Sequence, residues 1–336
     1  MMNTTFISKI THWILRFIQA QLLVSLVSLP LLASWGLPVS ALSPVGNLIF
    51  LPFFMVFLFI SSLLFFTELL YIPNGLFITL LDKISTFWLA LMPENNHTPL
   101  IGFVKPNLFF LLCIPSATFF ILSCKKIKTI TTSILSLTAL LALSIVYLKI
   151  IQAPKDFIKQ LPCNKGNVTL LYNKGKTIVI DPGVLGARIS ASSWITYTLI
   201  PEMIKACGKT HIDHLILMSP GTLLFEAIET LCKSLHVRHI YLVYWNGQLN
   251  KSALRNFYFM KKAAIQSKTI IHRIGNIKEI ISISSQTTIT LSPFTEKIKY
   301  HKATFPALCV TCKIDNKTLN IYSAKYKNPK NRRKIK

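Results

Sequence analysis

Over the first 150 residues the apolar positions come in blocks, not in alternation. Phe6, Ile7, Ile10, Trp13, Ile14, Phe17 and Ile18 recur at helical spacing among Lys9, His12 and Arg16, the pattern of an interfacial helix leading into a membrane. The run 20–35 is apolar but short and contains Pro30; joined to the preceding turns it reaches across. No small-residue cleavage pattern follows it, which favours a retained anchor over a cleaved leader. Residues 47–71 form the strongest span, dense in Phe and Leu, with one acid, Glu68, close to the end. The stretch 75–92 has membrane length but carries Asp82 and Lys83 side by side near its centre. It either lies flat or re-enters, or it spans with those charges turned toward other helices. Two further spans, 107–124 and 129–149, are separated only by Lys125-Lys126-Ile127-Lys128. So short a link makes them an antiparallel hairpin, and its lysines place it in the cytoplasm. The chain then leaves the membrane at Lys149 on the outer face; a cytoplasmic N-terminus requires five crossings, with 75–92 among them, and if that stretch only re-enters the N-terminus lies outside.

Beyond residue 150 the period changes. Short β-rich runs at 168–172, 177–180, 215–218, 240–244, 287–291, 308–314 and 319–322 are interleaved with helical runs at 195–206, 223–235 and 251–266. In the second helix Leu223, Leu224, Ala227, Ile228, Leu231 and Leu235 form one apolar stripe, so that helix covers a sheet face. Alternating β and α elements closed by three strands predict a layered α/β sandwich. The expected organisation is an α-helical, multi-span membrane region over 1–150, an α/β domain over 151–324 and a tail over 325–336.

Composition sharpens this picture. A chain with 51% hydrophobic residues and a mean hydropathy of +0.49 is too apolar for an ordinary soluble protein of 336 residues. The charge is uneven: only eight of the 37 Lys and Arg precede residue 151, leaving 29 basic against nine acidic residues in the remainder. Such a domain attracts phosphate backbones or anionic lipid headgroups. Most of the excess is Lys in a chain also rich in Ile and Asn, a composition that an AT-biased genome produces without selection for binding. The tail holds seven basic residues in twelve: Lys325, Lys327, Lys330, Arg332, Arg333, Lys334 and Lys336. These are the candidate nucleic-acid or polyanion contacts, the alternative being a solvated tail that aids solubility. Seven Cys make no even framework. Cys309 and Cys312 have CxxC spacing but fall in a strand-like run, where positions three apart face opposite sides, and no second ligand pair follows.

Two stretches, in this order, resemble the ComEC-type competence membrane proteins, which are implicated in moving single-stranded DNA through the bacterial inner membrane. The first is Leu29-Pro30 followed by Leu42-Ser43-Pro44-Val45-Gly46-Asn47-Leu48-Ile49 and Leu51-Pro52, similar to a motif late in that family's membrane region. The second is Gly166-Asn167-Val168 through Gly175-Lys176-Thr177-Ile178-Val179-Ile180-Asp181-Pro182-Gly183. It resembles the opening of the family's C-terminal metallo-β-lactamase-like domain. Leu199-Ile200-Pro201 and Ile212-Asp213-His214-Leu215-Ile216-Leu217 follow in matching order and spacing.

The departures from the family are specific. Its strand corresponding to the one ending at Met218 runs into a loop of the H-x-H-x-D-H type, because two metal ions need several imidazoles and a carboxylate converging at one strand end. Here that loop is Met218-Ser219-Pro220-Gly221-Thr222-Leu223-Leu224, without His, Asp or Glu. The later Gly-Asp ligand position corresponds to Ser323-Ala324, and a final His-containing motif has no counterpart; of the ligand positions Asp181 alone is kept. The resemblance thus implies a degenerate metallo-β-lactamase-like layered sandwich with no metal or other cofactor and no enzymatic activity. His211-Ile212-Asp213-His214 supplies ligand types at close spacing, but it precedes the predicted strand, at the other end of the sheet. A turn with exposed histidines is expected there, and likewise at His236 and His239.

The matched stretches correspond to the last membrane helices and a shortened terminal domain of the family, which implies a reduced homologue, a split-gene partner or a decayed remnant. Three functions compete. The first is a multi-pass, inner-membrane component of DNA uptake whose outer-face domain handles single-stranded DNA, with Tyr244, Trp245, Phe257, Tyr258 and Phe259 as stacking platforms and other competence membrane proteins, or a separate chain supplying further helices, as partners besides the lipid bilayer. The second is a membrane-anchored structural or partner-binding module with no DNA role. The third is a metal-dependent nuclease or hydrolase using other ligands.

Overall fold

A computed structural model describes residues 4–40, 43–91, 100–123, 129–163, 166–187, 190–275, 277–284, 287–300, 302–314 and 317–323. The chain divides into two compact units: one of Met1–Leu32, Pro38–Ile101 and Pro106–Tyr147, the other of Ala33–Leu37, Gly102–Lys105 and everything from Leu148 onward.

The first unit is helical. Helix α1 (Thr4–Trp35) continues through Pro30, so the short apolar run joins the preceding turns as one rod. A two-residue pairing of β1 (Val39–Ser40) with β2 (Leu100–Ile101) brackets α2 (Ser43–Leu69) and α3 (Gly75–Leu91); α4 (Leu108–Ser123) and α5 (Ile130–Val146) complete the unit. Helices α2 and α3 meet where Phe50, Phe54 and Phe57 surround Trp88, with ring centres 5.7–6.2 Å apart, the offset and edge arrangements that aromatic quadrupoles favour. Gln19 of α1 donates to Ser133 of α5 at 3.0 Å, and Asn47 of α2 donates to Gln21 of α1 at 2.9 Å. Serine and threonine hydroxyls return to the carbonyl four residues back, as Ser62 does to Leu58 and Thr118 to Ile114, both at 2.8 Å; hydroxyls satisfied within their own helix need no water. Glu68 closes the end of α2 by accepting from the Asn74 amide, while Asp82 and Lys83 are exposed on α3.

Two helical stretches, Thr11–Trp35 and Ile130–Ile151, are long and apolar enough to cross a membrane; Phe53–Leu69 and Leu108–Ser123 are shorter apolar helices. Large apolar side chains such as Phe109, Phe119, Leu135 and Leu143 are exposed, a surface that water does not favour. The Lys125-Lys126-Ile127-Lys128 link, on which the sequence-based orientation rests, lies outside the described residues.

The second unit is a mixed α/β domain with three layers. Strands β3 (Phe157–Cys163), β4 (Gly166–Asn173) and β5 (Lys176–Asp181) run antiparallel. From β5 onward the sheet is parallel, through β6 (His211–Leu217), β7 (His236–Val243) and β8 (Ile270–Ile274). Parallel neighbours need long crossovers, usually helical, and the chain supplies them: a helical segment from α6 (Ala191–Trp194) through α7 (Ile200–Cys207) joins β5 to β6, α8 (Thr222–Ser234) joins β6 to β7, and α9 (Lys251–Gln266) joins β7 to β8. Leu224, Phe225, Ile228 and Leu231 of α8 are fully buried against that face, each stabilising the domain by about 1.5–3 kcal/mol. The opposite face packs on an antiparallel four-stranded sheet, ordered β12 (Lys317–Tyr322), β11 (Ala303–Ile314), β10 (Thr287–Tyr300), β9 (Glu279–Ser284). Cys312 lies in this inter-sheet core with Leu308 and Val310, whereas Cys309 does not, as strand alternation dictates.

Candidate functional site

Ligands of open α/β sheets gather at the carboxyl ends of the parallel strands. At that end of β5 sits Asp181, fully buried. Its Oδ1 accepts the backbone N–H groups of Gly183 at 3.1 Å, Val184 at 2.8 Å and Leu185 at 3.2 Å, so one oxygen organises the turn that leaves the strand. Oδ2 has no hydrogen-bond partner among the described residues. Burial pushes the carboxyl pKa up to about 6, against the lowering pull of the three amides. Gly183 adopts φ +100°, and a Cβ there would stand 2.5 Å from Ser219 Oγ on the neighbouring loop; only glycine allows the two loops to approach this closely. The β6 loop adds Met218, Ser219, Pro220 and Gly221, none a metal ligand of the required kind. Among the described residues no three His, Cys, Asp or Glu side chains could hold a metal ion. The loop after β6 offers neither the imidazoles nor the carboxylate that a metal pair needs.

The amino ends of the same strands are richer in titratable groups. Here the structure corrects the expected turn: His211-Ile212-Asp213-His214 belongs to β6 itself, and His236 and His239 belong to β7. The reason is pairing, since the Asp213 carboxylate accepts the Thr177 N–H of β5 at 2.8 Å and Arg238 Nη1 of β7 at 2.7 Å. A polar side chain can thus close three neighbouring strands from inside. His211 Nε2 stands 3.8 Å from the same carboxylate.

Facing the second sheet, His214 lies across from His239, and Tyr241 lies across from His272 of β8. The His214 and His239 ring centres are 5.3 Å apart and nearly parallel, those of Tyr241 and His272 4.6 Å apart, and His239 Nδ1 is 3.1 Å from His272 Nε2. His214 is buried, not exposed, and its Nδ1 has no partner among the described residues. Burial, then the charge of His239, lowers its pKa to about 4; burial likewise lowers that of His239. These rings form a packed layer, and among the described residues no three ligand side chains converge there to hold a metal ion.

The third candidate is the outer face of α9. Lys251, Arg255, Tyr258 and Lys262 recur every three or four residues and, with Phe259 beside Tyr258, lie outward, while Ala253, Met260, Ala263 and Ala264 are buried beneath. Asn250 caps the helix by accepting the Ala253 N–H at 2.7 Å. No acidic residue occurs in the helix, and none of Lys251, Arg255, Lys261 and Lys262 is in an ion pair among the described residues. The Arg255 guanidinium lies 5.5 Å from the Phe259 ring centre, which keeps that cation over an exposed aromatic face.

No family model matches the chain, and no curated protein matches it.

The structure divides the expected stacking residues. Trp245 and Phe257 pack on the core with Phe225, at ring separations of 5.2–6.1 Å, whereas Tyr244, Tyr258 and Phe259 are exposed. Lys325, Lys327, Lys330, Arg332, Arg333, Lys334 and Lys336 lie outside the described residues. The basic residues of α9 do not stand out along the sequence because they are spread through a helix instead of clustered. Their signal is present nonetheless: cations at helical period opposite a small apolar stripe, with no acid between them.

Proposed function

We propose that the protein is a non-enzymatic, multi-pass component of the bacterial inner membrane, of the ComEC-type DNA-uptake class, whose degenerate metallo-β-lactamase-like domain lies on the outer face and contacts incoming single-stranded DNA. The observation that carries the reading is the acid-free outer face of α9, where Lys251, Arg255 and Lys262 alternate with Tyr258 and Phe259. Cations at that spacing track phosphates while exposed rings stack bases without regard to sequence. The membrane part of the reading is supported by the two membrane-length apolar helices and the exposed Phe and Leu around them. The fold assignment is supported by the strand order, an antiparallel start turning parallel at β5 and backed by a second, antiparallel sheet. Absence of ligand types from the β6 loop supports a role without metal chemistry. The basic residues from Lys325 to Lys336 extend the contact, and a separate chain supplying further helices is the expected partner.

The test is binding of labelled single-stranded DNA by the full-length protein in nanodiscs across a salt series, beside polylysine of equal charge. Replacing Lys251, Arg255 and Lys262 by Gln should flatten the slope of log affinity against log salt by about 2, near 0.7 for each phosphate no longer neutralised. Tyr258→Ala should weaken binding about fivefold or more at every salt concentration. A chain ending at Ala324 measures the tail's share separately. Binding no tighter than polylysine, unaffected by the α9 variants, would assign the charge to composition and favour the partner-binding module.

A further inference from the structure

Where the chain leaves helix Ile130–Ile151, the second unit contains a cavity of about 180 Å3, room for about six waters. Two glycines bring its walls together. Gly208 ends α7 in the left-handed conformation at φ +62°, and a Cβ on Gly102 would fall 2.9 Å from the Gly208 carbonyl oxygen. The Lys105 N–H donates to the Lys205 carbonyl at 2.9 Å, fixing the segment Gly102–Lys105 along α7. Lys149, Lys209 and Tyr172 line the resulting space. Lys149 Nζ donates to the Gly102 carbonyl at 2.9 Å and lies 5.1 Å from the Phe103 ring centre. An ammonium has three N–H donors, so this contact orients Lys149 and leaves two for another acceptor. The two lysines are close enough to repel, and among the described residues no carboxylate forms an ion pair with either. Elsewhere in the domain the acids Glu202, Asp213 and Glu229 are each paired with basic side chains.

We infer that this cavity binds the phosphate of an anionic phospholipid headgroup, with Lys149 and Lys209 as its counter-charges. Lipid, not nucleic acid, is the indicated source, because Lys149 lies two residues from the end of an apolar membrane-length helix, where lysines reach the headgroup layer. The inference rests on the membrane reading above.

The experiment uses the full-length protein extracted into nanodiscs of phosphatidylcholine alone or with phosphatidylglycerol, with retained lipid counted by native mass spectrometry and melting followed in parallel. The expected result is selective retention of phosphatidylglycerol and a higher Tm in its presence. Lys209→Gln, in the loop after α7, should weaken retention about fivefold and the double change with Lys149→Gln by tenfold or more. Arg at both positions should restore retention, and the charge-matched change of the exposed Lys261 and Lys278 to Gln should leave it intact. Stabilisation by inorganic phosphate alone, equal to that by the lipid, would overturn the lipid assignment in favour of a free anion. Displacement of the lipid by a single-stranded oligonucleotide would overturn it in favour of DNA. Membrane integration without phosphatidylglycerol preference would overturn the site and leave the membrane reading standing; a chain that needs no detergent would overturn both.

Discussion

The two ends of the parallel strands β5, β6 and β7 hold one buried carboxylate each, stabilised in opposite ways. At the carboxyl end Asp181 is held by three backbone amides and, among the described residues, by no cation, with one oxygen unpartnered. At the amino end Asp213 accepts one backbone N–H and the Arg238 guanidinium. The first arrangement leaves a group whose ionisation is costly where α/β sheets ordinarily bind ligands; the second ties three strands together. The titratable side chains that look most like a site in sequence thus belong to the framework. Among the described residues, the end suited to chemistry has one buried carboxylate and no imidazole beside it.

Removing each carboxylate tests that contrast. Asp213→Ala leaves the Thr177 N–H and Arg238 without their acceptor and should lower stability by about 3 kcal/mol, read by urea melting of the full-length protein. Arg238→Ala should cost less, about 1 kcal/mol, because that guanidinium is half exposed. Equal and negligible losses in both would break the comparison.

Acid should separate the ends further. His214 takes a proton less readily when folded, at about 4, than at its ordinary 6.5, with Lys176, His239 and His272 adding to the penalty and Asp213 opposing it. The unfolded chain therefore binds the extra proton across that window, and stability present above 6.5 is lost as pH falls toward 4. The loss should be on the order of 2 kcal/mol, and His214→Phe should flatten it. Asp181 acts in the other direction: its folded carboxyl keeps its proton up to about 6 against an ordinary 3.8. Its contribution is present below 3.8 and lost as pH rises through 6. Asp181→Asn keeps the acceptor for the three amides and removes the buried charge. It should stabilise the protein by about 1 kcal/mol at pH 7.5. A destabilised Asp181→Asn with a flat profile would mean that the ionised carboxylate has a partner after all.

Much of this is legible in the sequence for local reasons. The helix over 251–266 and the apolar stripe of α8 repeat at helical period, and both helices lie where that period places them. The ligand-free loop after β6 needs only its seven residues to be read. Strands β3, β8 and β9 are not among the runs that the pattern predicts. The first two are the edges of the large sheet, with four exposed positions in Phe157–Cys163 and two in Ile270–Ile274, and neither shows the clean alternation that marks a half-buried strand. The histidines read as turns because a polar run resembles one until its partners are known.

The sequence by itself determined the division into apolar helices and a basic α/β domain, the two central helices of that domain and the lack of metal ligands after β6, since each depends on residue type and spacing over one or two turns. The tertiary structure alone decided that Asp213 is satisfied from two neighbouring strands, that His214, His239 and His272 pack side by side, and that Lys149 and Lys209 line one cavity. Those contacts join residues 25 to 60 positions apart; the pairings within the sheet are set by the register of separate parallel strands, which local sequence does not encode.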